Sequence, residues 1–172
     1  MNNINLATIS IDDAEALFQI WHDKEMIKYT YHPYIDTIEE CRNRINGIVN
    51  YQKENNHYGP LTITYGGKII GLVGLELKSE EAKEYELWYI LSKFYWGKGI
   101  GSEVVRLFVD RVFSELDIER LYAEVVTENV ASYKVLEKNR FVKEGYLRRE
   151  FSRDGSIKDL YVYSILREEW EK

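Results

Sequence analysis

Apolar residues along this chain change period several times, and each change marks an element. "INLATIS" near the N-terminus has strand character. Ser10 then stands as a helix N-cap with Asp12 and Asp13 in the first turn. A cap hydroxyl accepts from the free N–H groups there, and acids suit the positive end of the dipole. Ala14, Leu17, Phe18 and Trp21 follow at helical spacing and give one apolar face. "YTYHPYIDT", which carries Pro33, reads as a loop. Thr37 and Glu40 have the spacing of a capping box. Ile38, Cys41, Ile45, Ile48 and Val49 then line a second helix, through about Gln52. From Gly59 the period becomes two. Leu61, Ile63 and Tyr65 alternate, "YGGK" turns the chain and "KIIGLVGLEL" returns as the partner strand of a hairpin. "KSEEAK" is a polar turn and "EYELWYIL" a third strand. Within it, period two puts Glu86 and Trp88 on one face and Leu87 and Tyr89 on the other.

After this meander comes "FYWGKGIGSEVV", a glycine-rich stretch that runs into a helix with Val104, Val105, Phe108, Val112 and Leu116 on its apolar side. "RLYAEVV" is a strand, and "TENVASYKVLEKNRF" a loop and helix. "FVKEGYLRREF", the turn "RDGS" and "IKDLYVYSILREEW" form a closing hairpin. No repeat, low-complexity tract or linker interrupts residues 1–172, so one domain is expected. The order βααβββαβαββ predicts an α/β fold, one mixed sheet with helices on its faces.

Composition narrows the partners. The formal net charge is -6. That disfavours nucleic acid, whose phosphates attract basic faces, and favours a cationic substrate. Cys41 is the single cysteine, so no intrachain disulfide forms and a reducing compartment fits. It reads as a small buried helix residue in preference to a nucleophile. The chain opens with no cationic, apolar leader and holds no run of about 18 apolar residues, so we expect a cytoplasmic protein without a membrane span. His22, His32 and His57 lack ligand spacing, and no metal is expected. Of 14 tyrosines, Tyr29, Tyr31 and Tyr34 cluster near Pro33. They suit either a homodimer contact or the lining of an acceptor pocket.

Gly97, Gly99 and Gly101 directly before a helix raise the possibility of an anion seat. Glycine tolerates positive φ and lets backbone approach a ligand, while the helix start offers unpaired N–H groups and a positive dipole end. A Walker A loop is excluded by spacing and by the missing Lys-Ser/Thr pair. A dinucleotide fingerprint would need glycine where Ser102 stands, and "SKFYW" separates strand from turn. A pyrophosphate loop of an acyl-coenzyme A transferase remains, beside a glycine-rich helix entry with no ligand.

The wider context decides between these. "YWGKGIG", "ENVASYKVLEKNRFVKEGYLR" and "DLYVYSILREEW", in this order and spacing, resemble the GNAT superfamily of acyl-CoA N-acyltransferases. The likeness is greatest to its Rim-type, ribosomal-protein N-acetyltransferase branch, and it runs from about residue 4. It implies a mostly antiparallel mixed sheet in which the strands "ELWYIL" and "RLYAEVV" are parallel and splayed around acetyl-CoA. The loop Trp96, Gly97, Lys98, Gly99, Ile100, Gly101 matches the family's diphosphate loop, with Trp96 in place of the usual polar first residue. By this resemblance, N–H groups from Gly97 to Ser102 hold the diphosphate and Tyr89, Ile90 and Leu91 pair with the pantetheine. Asn129 matches a cofactor-side Asn, and it serves equally well as an N-cap.

Acetyl transfer to a primary amine needs a base, since an amine is protonated near neutral pH. It also needs oxyanion donors, which N–H groups near Tyr89 to Leu91 could supply, and an acid for the leaving thiolate. Glu86 is the candidate base, standing where the Rim-like branch carries "AEIGYWL". It also reads as an ordinary strand carboxylate, and Glu76 and Glu84 are its rivals. The family's usual acid position, a Tyr five residues before the Phe, is here Leu136, which cannot donate. Arg140 stands where Gly is usual. Ser132 and Tyr133 are the substitutes, Tyr133 reading also as helix packing. The sequence therefore predicts an acetyl-CoA-dependent N-acetyltransferase acting on a protein N-terminus, a polyamine or another small amine. A non-catalytic acyl-CoA-binding or interaction protein of the same fold is the alternative.

Overall fold

A computed structural model of the chain describes residues 4–55 and 58–171. The strands are β1 (Ile4–Thr8), β2 (Leu61–Tyr65), β3 (Lys68–Ser79), β4 (Glu84–Leu91), β5 (Arg120–Val126), β6 (Val142–Arg153) and β7 (Ser156–Leu166). The helices are α1 (Ala14–Trp21), α2 (Lys24–Ile27), α3 (Ile38–Asn55), α4 (Ile100–Glu115), α5 (Val130–Lys138) and α6 (Arg167–Trp170). Hydrogen bonding orders the strands β1-β2-β3-β4-β5-β7-β6 in a mixed sheet whose parallel pair is β4 and β5. The chain divides into two compact units, and β3 and β4 run through both.

The first unit holds the residues up to Leu75 together with Tyr89–Trp96. The caps predicted at Ser10 and Thr37 both form. The Ser10 hydroxyl accepts the Asp12 N–H at 3.2 Å, and the Asp13 carboxylate accepts the Ser10 N–H at 2.8 Å. This cap opens a short 3₁₀ turn, Ile11–Asp13, that leads into α1. The Thr37 hydroxyl accepts the Glu40 N–H at 3.2 Å and the Glu40 carboxylate takes the Thr37 N–H at 3.3 Å, a reciprocal box. α3 continues past the predicted end near Gln52. α2 is too short for periodicity to announce. It forms because Asp23 accepts the N–H groups of Glu25 and Met26 at 2.9 and 3.4 Å. Leu17, Trp21, Ile27, Ile45, Ile63, Ile70 and Leu72 are fully buried in this unit.

β2 and β3 change register between Ile63 and Thr64, which leaves Ile70 unpaired with β2 as a bulge. The Ile70 carbonyl instead accepts the Ser92 N–H at 2.7 Å. Gly71 follows, and a Cβ there would lie 2.1 Å from the carbonyl oxygen of Ile90. Only glycine lets the two backbones approach this closely, so the end of β4 is seated by a missing side chain.

The second unit holds Glu76–Trp88 and the residues from Gly97 on. β5 pairs along its whole length with β7, from Arg120↔Leu166 to Val126↔Leu160. Its parallel pairing with β4 covers only Glu84↔Arg120, Tyr85↔Leu121 and Glu86↔Tyr122. Val104, Val105, Phe108, Val112 and Phe113 form the buried face of α4. Leu116, predicted on that face, ends the helix in extended conformation and is half-buried.

The closing strand is shorter than the sequence predicts, because "REEW" is helical. β7 loses its partner at Arg120↔Leu166, and the Glu169 carboxylate accepts the Leu166 N–H at 2.9 Å, starting a turn instead. Arg167 then donates to the carbonyls of Phe113, Leu116 and Ile118 at 2.9, 2.7 and 2.7 Å. It satisfies acceptors that the end of α4 leaves open. The Trp170 ring stacks on Phe113 at 5.2 Å and its N–H donates to Asp110 at 2.9 Å.

Candidate active site

α4 starts without a side-chain cap. Its N-cap is Gly99 at φ 77°, preceded by Gly97 at φ 70°, both in the left-handed region. A Cβ at either glycine would meet nothing within 4 Å, so the glycines are demanded by backbone conformation and the loop faces open space. Gly97, Lys98 and Gly99 are exposed, while Ile100 is buried and anchors the first turn. A 16-residue helix therefore presents free first-turn N–H groups, continuing to Gly101 and Ser102, beside a left-handed loop. Such donors suit an anion.

β4 and β5 part after Glu86↔Tyr122. On the β5 side, Ala123–Val126 go on pairing with β7 alone. Among the described residues, β4 and β5 pair no further than Glu86 and Tyr122, in keeping with the splay the resemblance implies. In the first unit, Ile90 and Leu91 are buried and Tyr89 half-buried, so the two-residue alternation breaks before the strand ends. The Leu91 carbonyl already accepts the Trp96 indole N–H at 2.8 Å. Trp96 thus holds the end of β4 through its ring nitrogen.

The carboxylates sort by their partners. Glu84 bonds Arg120 at 2.8 Å, and the same guanidinium grips Glu144 through two further bonds at 3.0 and 2.7 Å. Glu84 is thereby engaged in a structural ion network. Glu76 is largely exposed and pairs with Lys78 at 3.1 Å. Glu86, with 15% of its side chain exposed, pairs with the same Lys78 ammonium at 3.0 Å. Burial alone would lower the Lys78 pKa, but hydrogen bonds to Glu86 and Glu76 outweigh it and the ammonium is held above the ordinary lysine range.

Register adds a residue that the sequence reading passed over. Glu86 stands opposite Tyr122, and period two carries that face of β5 on to Glu124. Glu124 is half-buried, and among the described residues no hydrogen bond or ion pair holds its carboxylate. Burial first, and then the charge of Glu86, raise its pKa above the usual carboxylate range. The same two causes push the Tyr122 phenol up to about 12. The signal was present in "RLYAEVV", but only the parallel register brings it next to Glu86.

The acid candidates lie on α5. Asn129 is its N-cap, the side-chain oxygen accepting the Ser132 N–H at 3.3 Å. The capping reading of Asn129 is therefore realised. Tyr133 is half-buried, edge-to-face with Tyr161 at 6.0 Å. No hydrogen bond engages its hydroxyl among the described residues. Leu136 is buried. Tyr163, also buried, donates to Glu137 at 2.9 Å, and its phenol is pushed up to about 12 by burial and then by that bond.

Of the loop tyrosines, only Tyr31 is strongly exposed. Tyr34 packs on His22 at 5.1 Å, beneath the Lys24 ammonium. Cys41 is buried, and burial pushes its thiol up to about 11, which suits an inert packing residue. The His22 ring bonds the Ile35 carbonyl and His32 contacts Arg44. His57 lies outside the described residues. Among the described residues no group of three His, Cys, Asp or Glu is arranged to hold a metal ion, and no helix is long and apolar enough to cross a membrane.

The chain is similar to known acetyltransferases in sequence and in fold. Residues 3–142 match the family described as "Acetyltransferase (GNAT) domain". An uncharacterized N-acetyltransferase, p20 of Bacillus licheniformis, is 31% identical over 170 residues, covering 97% of this chain and 94% of that protein. The crystal structure of a spermidine N-acetyltransferase from Vibrio cholerae, with CoA and spermine, superposes with TM-score 0.86 at 21% identity over 98% of each chain. A RimL ribosomal α-N-protein acetyltransferase bound to coenzyme A superposes with TM-score 0.85 at 20% identity, over 95% of this chain and 93% of that one.

Proposed function

We propose, for a chain that belongs to the GNAT acetyltransferase family and so is an acetyl-CoA-dependent N-acetyltransferase, that the acceptor is a cationic primary amine and that Glu124 takes its proton. The spermidine and ribosomal-protein acetyltransferases among its relatives and structural neighbours suggest a polyamine or a protein N-terminus. The observation that carries the assignment of the base is the freedom of Glu124: half-buried, unpartnered and raised in pKa beside the ion-paired Glu86. A carboxylate of raised pKa is the stronger base, provided it stays ionised at working pH. Glu86, the base expected from the resemblance, is in this reading the partner of Lys78.

In this reading, backbone N–H groups from Gly97 to Ser102 hold the diphosphate of acetyl-CoA, which supplies an activated acetyl thioester. Within the second unit, the edges of β4 and β5 that open after Glu86 and Tyr122 receive the pantetheine. Glu124 accepts a proton from the acceptor ammonium, directly or through one water. The free Tyr133 hydroxyl holds the proton for the leaving thiolate, with Ser132 as the alternative donor. The excess of acidic over basic residues, 29 against 23, concentrates a positively charged amine at the surface. We further read the protein as a cytoplasmic homodimer, since it has a single cysteine and exposes Tyr31, Val142, Tyr146 and Ile157. A monomeric mass at micromolar concentration overturns the dimer.

The test is acetyl-CoA turnover across amine classes, read as free thiol release. Cationic amines are expected to lead, with KM rising with salt as the screening length shortens toward about 8 Å. Glu124→Gln should lower kcat/KM by about 10²-fold while CoA affinity stays unchanged. Full turnover in that variant removes Glu124 as the base. A best acceptor that is neutral or anionic removes the cationic assignment.

A further inference from the structure

The second unit gathers charges from four strands around Glu124. Lys78 and Glu76 come from β3, Glu86 from β4, and Glu150 from β6, each with an electrostatic effect on Glu124, while Tyr122 precedes it on β5. Four of these groups and Glu124 itself account for four carboxylates against one ammonium. The three neighbouring carboxylates make Glu124 harder to ionise, and of the four groups Lys78 alone acts the other way. The ammonium bridges two of the carboxylates. Lys78 Nζ lies 3.0 Å from Glu86 Oε2 and 3.1 Å from Glu76 Oε1, with 15% of the Glu86 side chain and 62% of the Glu76 side chain exposed. The contact with Glu86 is the more sheltered and therefore the less screened.

We propose that Lys78 is a positioning residue for catalysis, the counter-charge that allows Glu86 and Glu124 to be ionised together. The inference rests on Glu124 being the base. Two opposed influences meet at Glu124: the negative charge of Glu86 makes it harder to ionise, and the positive charge of Lys78 makes it easier. The Glu124 carboxyl is held above the usual range, and Lys78 is the charge that limits the rise. The pair is also internally anchored, since Lys78 stays protonated through the range in which carboxylates titrate.

Removing Lys78 leaves the repulsion of Glu86 unopposed, so the Glu124 pKa rises. Removing the charge of Glu86 withdraws the repulsion and leaves Lys78 acting alone, so it falls. The acid limb of the kcat/KM–pH profile, taken with one acceptor throughout, should move up by about half a pH unit or more in Lys78→Met. It should move down by a similar amount in Glu86→Gln and stay in place in Lys78→Arg. A purely structural role for Lys78 would lower Tm or kcat without moving the limb in opposite directions. The Glu124 carboxyl carbon, followed by NMR through a pH titration of the free enzyme, reads the same shifts without any turnover.

Limbs that move together or not at all, with matching NMR titrations, overturn the proposal. Should Lys78→Met fail to fold, Glu86→Gln alone decides, and a Glu124 titration that stays or rises overturns it. Full turnover in Glu124→Gln, with NMR shifts of opposite sign in the two variants, would instead keep the electrostatic coupling. It would then reject Glu124 as the base, and with it the catalytic part of the inference.

Discussion

Arg140 stands at φ 64°, directly after the α5 C-cap Asn139, where the resemblance leads one to expect glycine. A left-handed side-chain-bearing residue costs roughly 1–2 kcal/mol. Here the guanidinium recovers part of that through its bond to the Trp170 carbonyl at 2.9 Å. Arg140→Gly removes the strain but also loses this bond and frees the unfolded chain. Arg140→Val adds a β-branch to the strained backbone and loses the bond as well. We expect unfolding free energies from urea titration ordered Gly at or above Arg, with Val lowest by about 1 kcal/mol or more. A valine variant as stable as the parent would show that the left-handed turn is not maintained. The departure from glycine was legible in "EKNRF", and so was the missing donor at Leu136. Their consequences were not, because a dihedral angle and a free hydroxyl at Tyr133 are properties of the folded turn.

The glycine loop and α4 form the element that the sequence announced most plainly. Two left-handed glycines lead into an uncapped helix start, as the spacing of Gly97 and Gly99 predicts. A Cβ added at Gly99 would meet no atom within 4 Å. Gly99→Val acts through backbone conformation, because a β-branched residue resists φ near 77°. We expect a cooperative unfolding transition to persist, and CoA affinity by calorimetry to drop by about tenfold or more. Undiminished affinity would detach the loop from the diphosphate. At the far end of α4 the sequence misleads. "REEW" continues a strand-like run, yet Arg167 and Glu169 turn the chain into α6, where Arg167 caps the helix carbonyls. α2 was hidden for a related reason, as four residues span hardly more than one helical period.

For the molecule as a whole, net charge and ion pairing set the response to pH. A hydrogen bond from Lys93 holds Asp23 below its ordinary pKa, and bonds from Arg106 and Arg120 do the same for Glu103 and Glu144. Groups depressed in this way stabilise the fold above their unfolded pKa and lose that contribution as pH falls through the folded one. Tm should therefore be nearly level from pH 7 to 5 and fall below about pH 4. A Tm already falling steeply between pH 7 and 5 would contradict these assignments. What the sequence by itself determined is the local part: caps at Ser10 and Thr37, the hairpin at Gly66–Gly67, the loop before α4, and the family those motifs resemble. Each depends on residues a few positions apart, whose chemistry acts through neighbouring backbone. Only the tertiary structure decided that Glu84 belongs to a structural network, that Glu86 is paired with Lys78, and that Glu124 stands free beside it. Those roles are set by strand register and burial. These join residues as far apart as Lys78 and Glu124, and no local periodicity encodes which charge will face which.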